Sequence, residues 1–299
     1  MNTLYYRIAG LPFSLQLLHA DVFLRTLSSF APFRCPDDAP LQECIFNLQE
    51  AEDDISVPRQ GKFIGTFNGG DATFSIHLLD DGGYIIHINN RRELTIGQLH
   101  TTDDFSKCRL KLKIAGNDTM YAWCLNNALM IAFAFSGARH SALLMHASVI
   151  VNNAHGFLFL GKSGTGKSTH SQLWLNHIPH SRLLNDDNPV IRLDKAQNRA
   201  IVYGSPWSGK TPCYLNQHAV IAAFVRLEQA PQNSIRRHSA VEAFASILSA
   251  CSSMMWDQPS YHAICRTIAG IVSITPSFRL KCLPHQSAAE LCYRQTWKG

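Results

Sequence analysis

The chain has 299 residues, a length at which one hydrophobic core usually gives way to two. Hydrophobic residues at 46% and charged residues at 16% exclude a disordered chain, a collagen-like repeat and a coiled coil. The formal net charge of +5 is too small to argue for a nucleic-acid partner, but it is unevenly divided: residues 1–110 carry 9 Lys+Arg against 14 Asp+Glu, and residues 111–299 carry 18 against 8.

Met1 to Arg7 lacks the basic head, apolar run and small-residue cleavage site of an export signal, so none is expected. From Phe13 to about Lys113 short β-like runs alternate with turn residues. Residues 63–67, 72–78 and 84–88 alternate apolar positions, separated by Asn68-Gly69-Gly70-Asp71 and Asp80-Asp81-Gly82-Gly83, which reads as antiparallel hairpins. The acidic cluster Glu50 to Asp54 reads as a solvated linker or loop. A helix is expected over Thr119–Ser136, capped by Asn117 or Asp118 and ended by Gly137; it bridges the two halves and falls within the bounds given to the second domain. Its apolar core, Ala128 to Phe135, falls well short of the roughly 20 residues a bilayer requires. Residues 147–151 and 156–160 read as strands, and Ser168–Leu175 as a helix before Pro179. The helical spacing of residues 240–248 suggests core packing. Nine scattered cysteines, an odd number with no CxxC, point to reduced thiols in a cytoplasmic protein rather than to a disulfide frame or zinc site.

The chemistry gathers in the second half. Gly161-Lys162-Ser163-Gly164-Thr165-Gly166-Lys167-Ser168 matches GxxxxGK[ST] in full. Its glycines let backbone N–H groups curl round a phosphate, Lys167 supplies charge to the β/γ oxygens, Ser168 offers a hydroxyl to Mg²⁺, and the next helix, from Ser168 and Thr169 on, points its positive end at the anion. A second feature, Asp186-Asp187, follows Ser168 by only 18 residues, whereas ordinary P-loop GTPases and ATPases place their acidic strand much further along. Paired carboxylates at a strand end can divide the work between holding Mg²⁺ and accepting the proton of an attacking hydroxyl. No guanine-specifying NKxD-like segment is present, which disfavours GTP. His177 and His180 lack a Cys or carboxylate partner at metal-site spacing, and Arg236-Arg237-His238 and Arg279-Leu280-Lys281 read as solvated clusters.

His146, about 15 residues before the loop, the loop itself and the close Asp pair resemble the catalytic half of HPr kinase/phosphorylase, which shares its nucleotide site with ATP-dependent phosphoenolpyruvate carboxykinase. The likeness covers roughly Met145 to Arg192 well and continues more loosely to the C-terminus. Tyr203-Gly204-Ser205-Pro206-Trp207-Ser208-Gly209-Lys210 resembles the Gly-[Ser/Thr]-Pro-Trp-x-Gly stretch of HPr-kinase-like proteins, among them lasso-peptide kinases. The resemblance implies that Gly161 to Thr169 hold the triphosphate of ATP, that Ser168 helps ligate Mg²⁺, and that one of Asp186 and Asp187 ligates metal while the other is the base, with Asp186 favoured as the ligand. It places His146 beside the γ-phosphate, as imidazole or imidazolium, and Gly204 to Trp207 at the lip of the site, with Lys210 a weaker candidate. The Glu-x-Arg-Gly acceptor stretch of HPr kinases is not evident, nor is their regulatory domain in the first half.

The resulting expectation is a mixed α/β (α+β) chain: residues 1–115 form a mainly antiparallel β domain for substrate or partner recognition, and residues 116–299 an HPr-kinase/PEP-carboxykinase-like P-loop domain. Its expected activity is ATP- and Mg²⁺-dependent transfer to a Ser/Thr hydroxyl of a protein or peptide. No nucleic-acid or membrane partner is expected, and the resemblance implies homo-oligomers. The alternatives are a non-catalytic ATP-binding regulatory module and a small-molecule kinase.

Overall fold

The computed structural model describes residues 3–36, 43–52, 61–113, 116–209 and 211–297, which form a mixed α/β structure in two units, Met1–His140 and Ser141–Gly299. The first unit comprises β1 (Thr3–Ile8), β2 (Leu11–Gln16), α1 (Ala20–Thr26), a 3-10 turn (Ser28–Phe33), β3 (Asn47–Glu50), β4 (Lys62–Gly69), β5 (Ala72–Leu78), β6 (Tyr84–Asn89), β7 (Thr95–Thr101), β8 (Lys107–Leu112) and α2 (Asp118–Arg139). Its eight strands lie in the order β1-β2-β3-β8-β7-β6-β5-β4, antiparallel except where β3 joins β2 and β8 in parallel. The hairpins fall where the turn residues stand: Gly70 (φ 81°) reverses β4 into β5, and Asp81 accepts from the Gly83 N–H beside Gly82 (φ 86°).

Three expectations are corrected here. Glu50 is not in a solvated loop: it ends β3, is 4% exposed, and accepts hydrogen bonds from the Leu18 N–H and the Tyr121 hydroxyl, both at 2.9 Å. The cluster's Asp53 and Asp54 lie outside the described residues. The helix α2 starts as expected, with Asn117 accepting from the Met120 N–H, but runs through Gly137 to Arg139; the left-handed residue that ends it is Ser141 (φ 57°). Lastly, α2 belongs to the first unit. Its buried residues include Cys124, Leu125, Ala128, Leu129 and Ala132, and Phe133 lies edge-on to Phe13, itself stacked on Phe46 at 4.7 Å. Gly97 of β7 lets the helix approach so closely that a Cβ there would strike the Cys124 sulfur.

The second unit comprises β9 (Ala142–Leu144), β10 (Ala147–Asn152), β11 (His155–Leu160), α3 (Lys167–His177), β12 (Ser181–Asn185), β13 (Val190–Asp194), β14 (Arg199–Tyr203), β15 (His218–Gln229), β16 (Ser234–Arg237), α4 (Ala240–Leu248), α5 (Gln258–Ile274), β17 (Ser277–Cys282) and α6 (Gln286–Thr296). Its sheet runs β12-β10-β11-β15-β14-β13-β9, with β17 also pairing with β15 and β16 with β17. Because β10 is antiparallel to both β11 and β12, its first residues lie at the same sheet end as the last residues of its two neighbours. That end carries the site.

Beneath it, Trp174 of α3 is fully buried, with ring centroids 4.8 Å from Phe157 and 5.5 Å from Phe159 of β11. The Trp174 indole N–H donates to Nε2 of buried His170 at 3.2 Å, and burial pushes the His170 pKa down to about 4. A neutral histidine in the fold with an unfolded pKa near 6.5 makes the unfolded chain the stronger proton binder between those values, so stability falls as pH falls through that window. Lowering the pH from 7 to 5 is expected to remove roughly 2 kcal/mol of stability through this residue. His170→Gln flattens that part of the profile, read from thermal unfolding at each pH.

Candidate functional site

The loop from Gly161 to Gly166 joins β11 to α3, the strand and helix that the sequence pattern requires. Gly164 (φ 81°) and Gly166 (φ 102°) take left-handed conformations with open space where a Cβ would stand, so conformation rather than crowding selects glycine at both. No side chain caps α3 and no acidic residue occupies its first turn, which leaves its first N–H groups and positive dipole end available to an anion. Lys162, Ser163 and Gly164 are exposed, Thr165 is half-buried with its hydroxyl donating to the Lys162 carbonyl, and Ser168 and Thr169 are exposed on the first turn.

Lys167 is buried, at 8% exposure, and its ammonium donates to the carbonyl of Gly161 at 3.0 Å, to that of Lys162 at 3.4 Å and to Nε2 of His146 at 2.8 Å. Burial pushes its pKa down, while the charges of Asp187 and Asp186 push it up. An ammonium has no acceptor, so Nε2 of His146 holds a lone pair and its ring proton sits on Nδ1, which donates to Oδ1 of Asp187 at 2.8 Å. A continuous chain, Lys167 to His146 to Asp187, links the loop to the carboxylate pair.

The two aspartates differ in surroundings. Asp187 is about one-third exposed and also accepts from the Asn188 amide at 2.9 Å. Asp186 is 6% exposed; its Oδ1 accepts from the Ser148 hydroxyl at 2.8 Å and its Oδ2 from the Thr211 hydroxyl at 2.9 Å. Having spent its only proton on Asp186, Ser148 accepts from Ser171 at 2.6 Å, which ties the carboxylate back to α3. Neither Ser148 nor Thr211 was singled out in the sequence. Ser148 carried a signal, a polar residue two positions after His146 in an apolar strand; Thr211 carried none.

Gly204 to Trp207 forms a buttress behind the aspartates, with Ser205 and Trp207 both buried. Buried Asn185 accepts from the Asp187 N–H and donates to Ser205 and to the Trp207 carbonyl, which also accepts from the Asn188 N–H. Gly209 lies against the pair: a Cβ there would stand 3.2 Å from that of Asp187. Lys210 lies outside the described residues. A Cβ at Gly204 would strike the Leu215 carbonyl, so Gly204→Ala is expected to cost about 2 kcal/mol in urea unfolding, because the obstacle is backbone.

A residue that the sequence reading passed over flanks the loop from the other side. Arg226 of β15 is the register partner of Leu160 and donates to the Ser246 hydroxyl and carbonyl and to the Ser249 hydroxyl at 2.6–2.7 Å. The following Ala250 carbonyl accepts from the His146 N–H at 2.7 Å. Beside the start of α3, a cleft of about 680 Å³ is walled by Leu173, Leu227, Pro231, Leu283 and Pro284, with Gln229 at its edge.

No family model and no curated protein matches the chain. Among solved structures it is similar to the HPr(Ser) kinase/phosphatase from Coxiella burnetii, at 16% identity and a TM-score of 0.30, over 51% of this chain and 95% of that chain. No helix among the described residues is long and apolar enough to cross a membrane.

Proposed function

We propose that the chain is an ATP- and Mg²⁺-dependent kinase that transfers the γ-phosphoryl group to a Ser or Thr hydroxyl of a protein or peptide. The observation that carries this reading is the Lys167–His146–Asp187 chain, which connects a loop built for phosphate to a carboxylate open enough to receive a proton. A nucleotide-binding module that only sensed ATP would need the loop and not the carboxylate chain.

In this reading the triphosphate lies on the N–H groups of the loop and α3, and the base enters the apolar cleft beside Leu173 and Leu227. Lys167 exchanges its longest contact, the Lys162 carbonyl, for a phosphate oxygen. Asp187 accepts the proton of the acceptor hydroxyl as that oxygen bonds to the γ-phosphorus and the bond to the β–γ bridging oxygen breaks, releasing ADP. His146 orients Asp187 through its Nδ1 proton.

The donors present are hard oxygens, which suit Mg²⁺: the Ser168 hydroxyl and Asp186, each of whose oxygens accepts a single hydrogen bond among the described residues and retains a further lone pair. When bound, the ion would neutralise charge on the phosphate oxygens.

The test is incubation of the full chain with γ-labelled ATP and serine- and threonine-containing peptides. Label on the hydroxyl residue, lost in Asp187→Asn, is the expected result. Hydrolysis alone, at a rate unchanged by Asp187→Asn, overturns the reading.

A further inference from the structure

Three arginines that sequence leaves scattered stand side by side in the sheet. Arg226 of β15 pairs in register with Arg279 of β17, and Arg279 with Arg236 of β16. They occupy the face opposite the buried Val225, Leu227, Phe278 and Leu280, so their guanidinium groups form a row. The row begins at the strand next to Leu160, where the glycine-rich loop starts, and ends on an edge strand. Lys281 follows Arg279 two positions on, and Lys162 stands at the loop end.

Two clefts follow the row. One, of about 560 Å³, is lined by Lys162, Ser163, Arg226 and Glu228; the other, of about 280 Å³, by Arg236, Arg279 and Lys281. The 2.6 Å ion pair between Glu228 and Arg279 stands between them, one partner lining each. Five cations face two carboxylates here, Glu228 and Glu242, the latter bound by both terminal nitrogens of Arg236. Among the described residues Lys162 and Lys281 form no ion pair, and the buried Nε of Arg279 has no hydrogen-bond partner.

A row of fixed cations leading from a triphosphate site suits an anionic second substrate, whose approach to ATP would otherwise be opposed by like charge. Arg226 and Arg236 are two strand spacings apart, about 10 Å, more than one carboxylate or phosphate spans. We propose that this row docks an acidic segment of the peptide acceptor, flanking its serine or threonine; the inference rests on the kinase reading and names its substrate class. Carboxylates of that segment compete with Glu228 for Arg279 and pair with Arg236 and Lys281.

The probes are fluorescein-labelled peptides with one serine flanked by four glutamates, four glutamines or four lysines, followed by anisotropy with the full chain. The glutamate peptide is expected to bind roughly tenfold tighter than the glutamine peptide and to weaken as salt rises from about 50 to about 500 mM. Lys281→Glu, at an exposed side chain that makes no hydrogen bond among the described residues, is expected to remove most of that preference, and Arg236→Glu together with Lys281→Glu to shift it toward the lysine peptide. Equal binding of the glutamate and glutamine peptides overturns the proposal, as does a preference untouched by Lys281→Glu. Displacement of the peptide by inorganic phosphate at matched charge, or tighter binding of an oligonucleotide, also overturns it. Because binding is read without transfer, a retained glutamate preference in a chain that transfers no phosphate sinks the kinase reading alone. Transfer that is indifferent to flanking charge sinks the docking row alone.

Discussion

Lys167→Met is expected to lower the single-turnover rate of phosphoryl transfer by about a thousandfold or more, the scale on which a fixed cation stabilises charge in phosphoryl transfer. Methionine keeps the length and most of the apolar stem, so the pocket stays filled and the loss isolates the ammonium. In the structure all three ammonium protons are already placed, two on loop carbonyls and one on His146. The ammonium therefore sits at its post before any phosphate arrives. Its removal takes the ammonium from the Gly161 carbonyl and the His146 lone pair, while the Lys162 carbonyl keeps the Thr165 N–H and hydroxyl, a cost of about 1–3 kcal/mol if water does not reach the first two. Thermal unfolding reads that cost separately from the rate. Lys167→Arg is not expected to restore activity, because a planar fork cannot replace a point donor shared between two carbonyls and an imidazole. Transfer persisting in Lys167→Met at more than a tenth of the normal rate would remove the loop from the mechanism.

Features whose causes are local were legible in the sequence. Gly164 and Gly166 take left-handed backbone conformations that only glycine adopts cheaply, and the hairpin at Gly70 and the Asn117 cap have similarly short causes. The β1–β2 hairpin escaped because Ala9 (φ 53°) holds the first left-handed position of its turn, where Asn or Gly would have signalled it. Gly137 misled for the converse reason, since a glycine within a helix need not end it. The side on which α2 docks was hidden because 14 of its 22 residues are buried, leaving no single apolar stripe to read. The site was half legible. Loop, histidine and Asp pair come together because β10 lies antiparallel between β11 and β12, a relation of topology that no spacing encodes. Thr211 reaches Asp186 from the loop between β14 and β15, and the arginine row depends on register between strands far apart in sequence, so both were beyond reach.

The two aspartates are expected to separate in kinetics. Asp187→Asn is expected to reduce kcat by about 10²- to 10⁴-fold with little change in the KM for ATP, because an amide oxygen still accepts from His146 but cannot take a proton from the acceptor hydroxyl. Asp186→Asn acts differently. Its carboxylate accepts from Ser148 on one oxygen and Thr211 on the other, so an amide turns one of those contacts into donor against donor. A stability loss of about 1–3 kcal/mol is expected, together with a raised Mg²⁺ requirement that excess metal partly restores. Thr211→Val separates the two consequences, since it removes one hydroxyl while leaving the carboxylate charge, and is expected to lower stability more than metal dependence. Metal rescue of Asp187→Asn instead, with Asp186→Asn falling in kcat alone, would exchange the two roles: the buried carboxylate would be the base and the exposed one the ligand, and the His146 proton would then orient a metal ligand.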